Sequence, residues 1–437
     1  MKKLHIYILI WFAASSFFNV KLKAQNQDLR VHKYNYGEGI TFSNKQGYEW
    51  KLQSYIQPYA ELKYVQDTSF DQTLFRFRMR RLRFRIDGTS PSKKWEYRVQ
   101  YDFSGSSEVE ENNKLYLMDA FVTYNAWKKF SVTFGQRSNP ADLRLYSSNA
   151  IQLVERSRLV SAFSTIREFG IFAQSSFKFK NTHYIRPYIA ITNGDGGNVM
   201  RNDFGGLKYS ARVDYLPFGL FRQYGQFREA DVFREPTPKL VIGAFANTNR
   251  GMSSRRGRES GTILYLDQTG NYSLPNYSKF GVDLLFKFKG FSFLADAIHA
   301  TATVPESIAY RVREDGSVAN TFLVDGLQNV DAYVKGRMML GTGYNLQSGY
   351  IFPSGISIDG QFTRFINAPY TFLKNGTFYN RPQYVTIGMS KYFGRNYQCK
   401  YQISATHVTC DPGSNYINSQ PMNGNEWIFR FQTTFSL

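Results

Sequence analysis

From residue 95 the chain reads Trp-Glu-Tyr-Arg-Val-Gln-Tyr-Asp-Phe, apolar and polar by turns. Trp95, Tyr97, Val99, Tyr101 and Phe103 share one face of an extended segment, and Glu96, Arg98, Gln100 and Asp102 share the other. Residues 207–215 repeat the pattern, with Leu207, Tyr209, Ala211, Val213 and Tyr215 against Lys208, Ser210, Arg212 and Asp214. The last segment does so again: Trp427, Phe429, Phe431, Thr433, Phe435 and Leu437 alternate with Ile428, Arg430, Gln432, Thr434 and Ser436. Nine to eleven residues is the span that a tilted strand needs to cross a bilayer.

Such segments number about sixteen, an even count as in bacterial barrels. They fall at 49–65, 74–87, 95–103, 114–124, 129–136, 168–180, 182–192, 207–215, 239–248, 280–289, 291–301, 337–350, 355–365, 382–393, 399–408 and 426–437. The connections alternate short (88–94, 125–128, 181, 290, 351–354, 394–398) and long (137–167, 249–279, 302–336, 409–425). Short periplasmic turns and long external loops mark an outer-membrane barrel. One connection breaks the rule: 216–238 should be a short turn and is not, so it holds either a short periplasmic helix or a misplaced strand. The predicted fold is all-β: a transmembrane antiparallel β-barrel with long external loops, one of them folded into the lumen. A soluble β-sandwich is disfavoured, because its strands are shorter and apolar toward a shared core.

Composition fits this picture. Aromatic residues reach 17%, with 31 Tyr and 38 Phe, yet the mean hydropathy is −0.41. Aromatic girdles facing lipid, with polar residues lining water, give that combination. Met1-Lys2-Lys3 followed by an apolar stretch to about Val20 reads as a secretory signal, with residues 1–24 removed after Ala24. Residues 25–46 then form a periplasmic extension, too short for a plug domain, and 47–437 the barrel. Beyond the signal no window resembles a membrane-spanning helix, so a spanning chain must close as a barrel, with every backbone group paired. Cys399 and Cys410 sit near opposite ends of one strand, too far apart to bond.

Charge supplies the candidate chemistry. The chain carries 54 Lys and Arg against 34 Asp and Glu, a formal net charge of +20. Residues 74–87 read Leu-Phe-Arg-Phe-Arg-Met-Arg-Arg-Leu-Arg-Phe-Arg-Ile-Asp. Arg76, Arg78 and Arg80 alternate with Phe75, Phe77 and Met79. The phase then flips, and Arg81, Arg83 and Arg85 alternate with Leu82, Phe84 and Ile86. A β-bulge near Arg80–Arg81 restores one basic face. Arginine against lipid costs about 2–4 kcal/mol near the midplane, so this face must meet water. A column of guanidinium groups down a pore wall suits oxyanions, which exchange hydration for bidentate contacts. Part of the column balances lumen acids such as Glu96, Asp102 and Asp119. Segment 137–167 adds Arg137, Arg144, Arg156, Arg158 and Arg167, with Asp142 and Glu155 as its interior acids. A loop this long is usually functional, and the natural role is to narrow the lumen. The expected anion-binding residues are therefore Arg76, Arg78, Arg80, Arg83, Arg85, Arg98, Arg137, Arg144, Arg156, Arg158 and Arg212.

Several stretches together resemble the phosphate-selective porin O and P family of outer-membrane channels. Arg80-Arg81-Leu82-Arg83-Phe84 with Gly88, Tyr101-Asp102-Phe103 and Met118-Asp119-Ala120-Phe121-Val122 resemble its early strands. Gly135-Gln136-Arg137-Ser138-Asn139-Pro140 and Val154-Glu155-Arg156-Ser157 resemble the two ends of its constriction loop, and Arg167-Glu168-Phe169-Gly170-Ile171 the strand that follows. Asn193-Gly194-Asp195-Gly196, Ala211-Arg212-Val213 and Leu216-Pro217-Phe218-Gly219 continue in order. The resemblance implies a homotrimeric sixteen-stranded channel in the outer membrane, selective for anions, with phosphate or related oxyanions as cargo.

Other functions fare worse. A pore for larger acidic solutes, such as acidic oligosaccharides, is permitted by aromatic-rich loops such as 262–280 and remains the alternative. Catalysis needs a nucleophile beside a base. His299 near Asp296 is the one tempting pair, and no Ser stands at a telling spacing from it. No catalytic residue, metal site or cofactor is expected, since no His/Cys/Asp cluster has ligand spacing. Lipid-facing strands behind a secretion signal argue against nucleic acid, despite the charge.

Overall fold

The computed structural model describes residues 30–437 apart from 36–37, 67–71, 105–114, 128, 199–203, 259, 314, 370–379 and 416–420. The expected signal, residues 1–24, lies outside the described residues. Sixteen antiparallel strands close into a barrel: β1 Glu49–Gln66, β2 Gln72–Thr89, β3 Trp95–Asp102, β4 Tyr116–Trp127, β5 Phe130–Arg137, β6 Glu168–Ser175, β7 His183–Thr192 and β8 Lys208–Leu216. The other eight are β9 Lys239–Asn249, β10 Asn276–Phe288, β11 Phe291–Thr303, β12 Gly341–Ile351, β13 Ile356–Asn367, β14 Gln383–Tyr392, β15 Lys400–Thr409 and β16 Asn425–Ser436. β6 resumes after a break as Phe177–Phe179. β16 returns to β1, from Asn425 opposite Gln66 to Ser436 opposite Tyr55, and leaves no free edge. A hairpin, Arg30–Asn35 with Gly39–Ser43, extends β1 at the short-turn rim.

The period-2 pattern sorts side chains as the sequence demands. Along β8 buried and outward positions alternate: Lys208, Ser210, Arg212 and Asp214 inside, Tyr209 and Val213 outside. Outward positions elsewhere carry Phe77, Ile189, Phe280, Ile358 and Ile387, which together make an apolar belt. In β2 the register against β1 skips one residue. Gln57 pairs with Arg81 and Pro58 with Met79, so Arg80 is the bulged residue. With that one extra residue Arg76, Arg78, Arg81, Arg83 and Arg85 all stand opposite the inward positions of β1. Cys399 and Cys410 flank β15, free and buried.

Sixteen strands enclose more space than their own inward side chains fill. Two connections fill it from opposite ends. Residues 138–167 enter from the long-loop rim and carry the short helix α1, Arg158–Phe163. Leu159, Val160 and Phe163 of that helix join Phe245, Ile298, Phe365 and Tyr384 of the wall, and Met338–Leu340 of an external loop, in one apolar core. Residues 217–238 enter from the short-turn rim through a kinked 3-10 stretch, Arg222–Phe227. This is the connection that did not fit a simple turn. No strand was misplaced: the segment turns into the barrel, and Gln226, Glu229, Ala230 and Asp231 are buried there.

The bulge makes a test. Without Arg80, the strand reads as an unbroken alternation, so deleting Arg80 preserves the barrel. Deleting Phe84 instead turns either Arg81 and Arg83 or Arg85 and Asp87 toward lipid, at about 2–4 kcal/mol for each arginine near the midplane. On unheated gels we expect the first deletion to migrate as a folded barrel and the second to be lost from the membrane fraction.

Candidate functional site

The inward loop is pinned by charge. Arg144 of the loop meets two carboxylates of the β8–β10 wall, with Nη2 2.8 Å from Asp214 Oδ1 and Nε 2.7 Å from Asp283 Oδ1. Arg212 bridges the same pair at 2.7 and 2.6 Å. The four side chains are at most 2% exposed. Beside them Asp142 accepts from Lys208 at 2.6 Å and from Lys279 at 3.0 Å. Gly243 belongs to this cluster by absence of a side chain: a Cβ there would overlap the Arg212 guanidinium.

Further along, Gln152 fastens the ledge to the wall of β11–β15. Its Nε2 donates to Ser292 Oγ at 3.1 Å and to Asp359 Oδ1 at 2.5 Å, its Oε1 accepts from Gln347 Nε2 at 3.1 Å, and its backbone oxygen accepts from Gln402 Nε2 at 2.9 Å. The ascending segment meets the loop here. Ser147 N donates to Phe227 O at 3.0 Å, Glu229 N to Ala150 O at 3.1 Å, and Gln152 N to Glu229 Oε2 at 2.8 Å. On the opposite wall Arg80 holds Glu155 in a bidentate pair, 2.9 Å on each arm. Contacts on all sides place 138–167 as a ledge across the lumen.

Between the ledge and the wall formed by β1–β4 lies a cavity of about 160 Å³. Arg83, Arg85, Arg98, Arg156 and Arg167 line it, with Asp119 as its one acidic side chain among the described lining residues. Arg85 and Arg98 share a single partner: each Nε lies 2.6 Å from Asp87, and their side chains stay 32% and 31% exposed. Arg167 pairs with Asp119 at 2.7 Å. Arg137, next to them, packs over the rings of Phe121 and Phe172 and donates only to Thr133 Oγ1 and Ser138 O. Four guanidiniums therefore stand with two carboxylates in this group. Arg83 is tied to Asp102 at 2.7 Å and also donates to Tyr55 and Ser148, linking the wall to the ledge.

The arginines expected from sequence thus divide. Arg83, Arg85, Arg98 and Arg156 meet at the cavity, and Arg137 adjoins it. Arg144 and Arg212 are corrections: both are buried in the quartet with Asp214 and Asp283, so they hold the ledge and do not face a passing ion. Arg76 is paired with Glu61 toward the long-loop end at 2.6 Å, Arg78 stands opposite Tyr59, and Arg158 lies over the Tyr384 ring. Arg80 serves the ledge through Glu155. Arg81 and Arg167 were left out of the expected set. Arg81 stands on the same basic face as Arg83 and Arg85, and is fully buried with Nη1 2.9 Å from Gln57 Oε1. His299 and Asp296 fall on opposite faces of β11, by the same parity that builds the barrel: Asp296 is buried, and His299 bonds Thr342 Oγ1 at 2.8 Å. Among the described residues, no three His, Cys, Asp or Glu are placed to hold a metal ion.

The sequence profile of the phosphate-selective porin O and P family matches residues 64–230. Solved structures share the fold at low identity. The outer membrane channel DcaP of Acinetobacter baumannii is 12% identical, over 90% of this chain and 99% of that one, with a TM-score of 0.50. An anion-selective porin from Comamonas acidovorans is 8% identical over 89% and 100%, also at 0.50. OmpF of Salmonella typhi, in complex with daunomycin, is 10% identical over 89% and 98%, at 0.52. No protein of curated function matches the chain. The chain is an outer-membrane β-barrel of the porin type.

Removing one partner of a buried ion pair costs about 3–5 kcal/mol, because the other charge is left uncompensated. Arg144→Ala leaves Asp214 and Asp283 with Arg212 alone. We expect the ledge to loosen and single-channel conductance to rise, with the barrel still folded on unheated gels. An unchanged conductance would show that the quartet does not hold the constriction.

Proposed function

We propose that this barrel is a passive, anion-selective porin of the outer membrane, with phosphate or a related oxyanion as its preferred cargo. The observation that carries the reading is the excess of cation at the cavity: Arg85, Arg98, Arg137 and Arg167 with only Asp87 and Asp119 among them. An anion entering this space exchanges water for guanidinium donors that no carboxylate has fully occupied. Arginine suits the task better than lysine, because its planar fork matches two oxygens of a phosphoryl group at once. The family profile over 64–230 supports the same reading, as does the likeness to a porin described as anion-selective. Passive diffusion needs no nucleophile or cofactor. The bound state must also be weak enough to release, and partial neutralisation by Asp87 and Asp119 serves that end.

Reversal potential in a salt gradient, measured on single channels in planar bilayers, tests selectivity. We expect chloride to be preferred over potassium, and Arg85→Gln with Arg98→Gln to lower that preference severalfold. Cation preference in the unaltered channel would overturn the proposal. Millimolar phosphate should reduce the chloride current if an oxyanion site is present. Indifference to phosphate would leave a general anion channel.

The same reading takes the protein as a homotrimer, the assembly that the family resemblance implies. Native mass measurement of the detergent-solubilised chain should give three copies, and a monomer would refute it.

A further inference from the structure

The long-loop rim carries a second basic site, built apart from the pore. A three-stranded sheet of Leu264–Leu266, Tyr310–Val312 and Val318–Ala319, with the helix Val330–Lys335, frames a pocket of about 420 Å³. Arg255, Arg311, Arg313 and Arg337 line it. Among the described residues none of the four makes an ion pair. The one acid at its rim among the described residues, Asp315, is exposed and takes its hydrogen bond from the backbone N–H of Ser317.

Two of these cations are held close together by a neutral group. Tyr333 Oη accepts from Arg311 Nη1 at 2.6 Å and from Arg337 Nη2 at 2.9 Å. Both guanidiniums also lie over the Tyr333 ring, at 5.2 and 5.0 Å from its centre. The ring itself is fixed edge-on against buried Phe322, 5.3 Å between centres. Like charges at this spacing repel, and here a phenol and its packing oppose the repulsion where a carboxylate would usually do so. Arg311 adds a further sign. Its Nε is buried and has no hydrogen-bond partner, a state that proteins seldom leave unanswered. Clustered, unneutralised guanidiniums with spare donors are what a multivalent oxyanion needs.

We propose that this pocket binds a phosphoryl oxyanion carrying two or more charges, with Arg311 and Arg337 as its principal donors. The site stands independently of the pore's selectivity: a channel with no anion preference could still carry it. The ligand's phosphate comes either from a dissolved solute or from a phosphorylated glycolipid of the surrounding leaflet.

Calorimetric titration of the detergent-purified full chain with pyrophosphate tests the site. With the pore site first disabled by R85Q/R98Q, we expect one saturable binding event that R311Q/R337Q removes and R311K/R337K weakens. Unheated gels establish that each variant remains a barrel. Lipid extracted from the purified chain is weighed by mass spectrometry. A stoichiometric phosphorylated glycolipid, absent from R311Q/R337Q, identifies the lipid source. Its absence, with pyrophosphate bound, identifies the dissolved one. In the R85Q/R98Q channel, pyrophosphate binding that R311Q/R337Q leaves undiminished, or no binding together with no retained glycolipid, overturns the proposal.

Discussion

A polypeptide in hydrocarbon must pair every backbone N–H and C=O with itself, and the rest of this structure depends on that requirement. A sheet closed from β16 to β1 meets it. Closure forces each strand to send alternate residues inside, and charge, which lipid excludes, goes with them. The circumference that follows from sixteen strands is too large for those side chains to fill. The chain therefore fills its own lumen, and the channel is what the filling leaves open.

The filling is not uniform. Toward the long-loop rim, α1 and the external loops bury an ordinary apolar core against β9–β15. At the middle, charges do the fastening. Asp142, Asp214 and Asp283 are committed to Lys208, Lys279, Arg144 and Arg212. Those carboxylates cannot also neutralise the wall of β2–β5, where arginine stays in excess. Anchoring the ledge and leaving the cavity basic are thus two results of one allocation of acids. Arg144 and Arg98 show the division. Both are arginines among polar neighbours, yet one is sealed between two aspartates and the other shares Asp87 at the water's edge.

Period-2 alternation is local, so the barrel was legible from it. All sixteen segments were found within a few residues of their observed bounds, and the bulge at Arg80 was visible as a change of phase. The ledge was expected from the length of 137–167 and from family resemblance. Its anchors were not legible: Gln152 meets Ser292, Asp359 and Gln402, residues 140 to 250 positions away, and no local pattern encodes such pairings. The same limit applies to 216–238, whose excess length was plain but whose meeting with Ala150 and Gln152 was not. Residues 228–235, with five charged side chains in an expected turn, held the one signal that this segment goes inside.

The arginine strand has a consequence for how far each charge is felt. Inward positions on one strand are about 6.8 Å apart along it. In dilute physiological salt the screening length is about 8 Å, so an ion beside Arg85 already feels Arg83. Near 1 M salt that length shrinks to about 3 Å, and each guanidinium acts alone. The same wall is a continuous rail in dilute media and a row of separate stepping stones in brine.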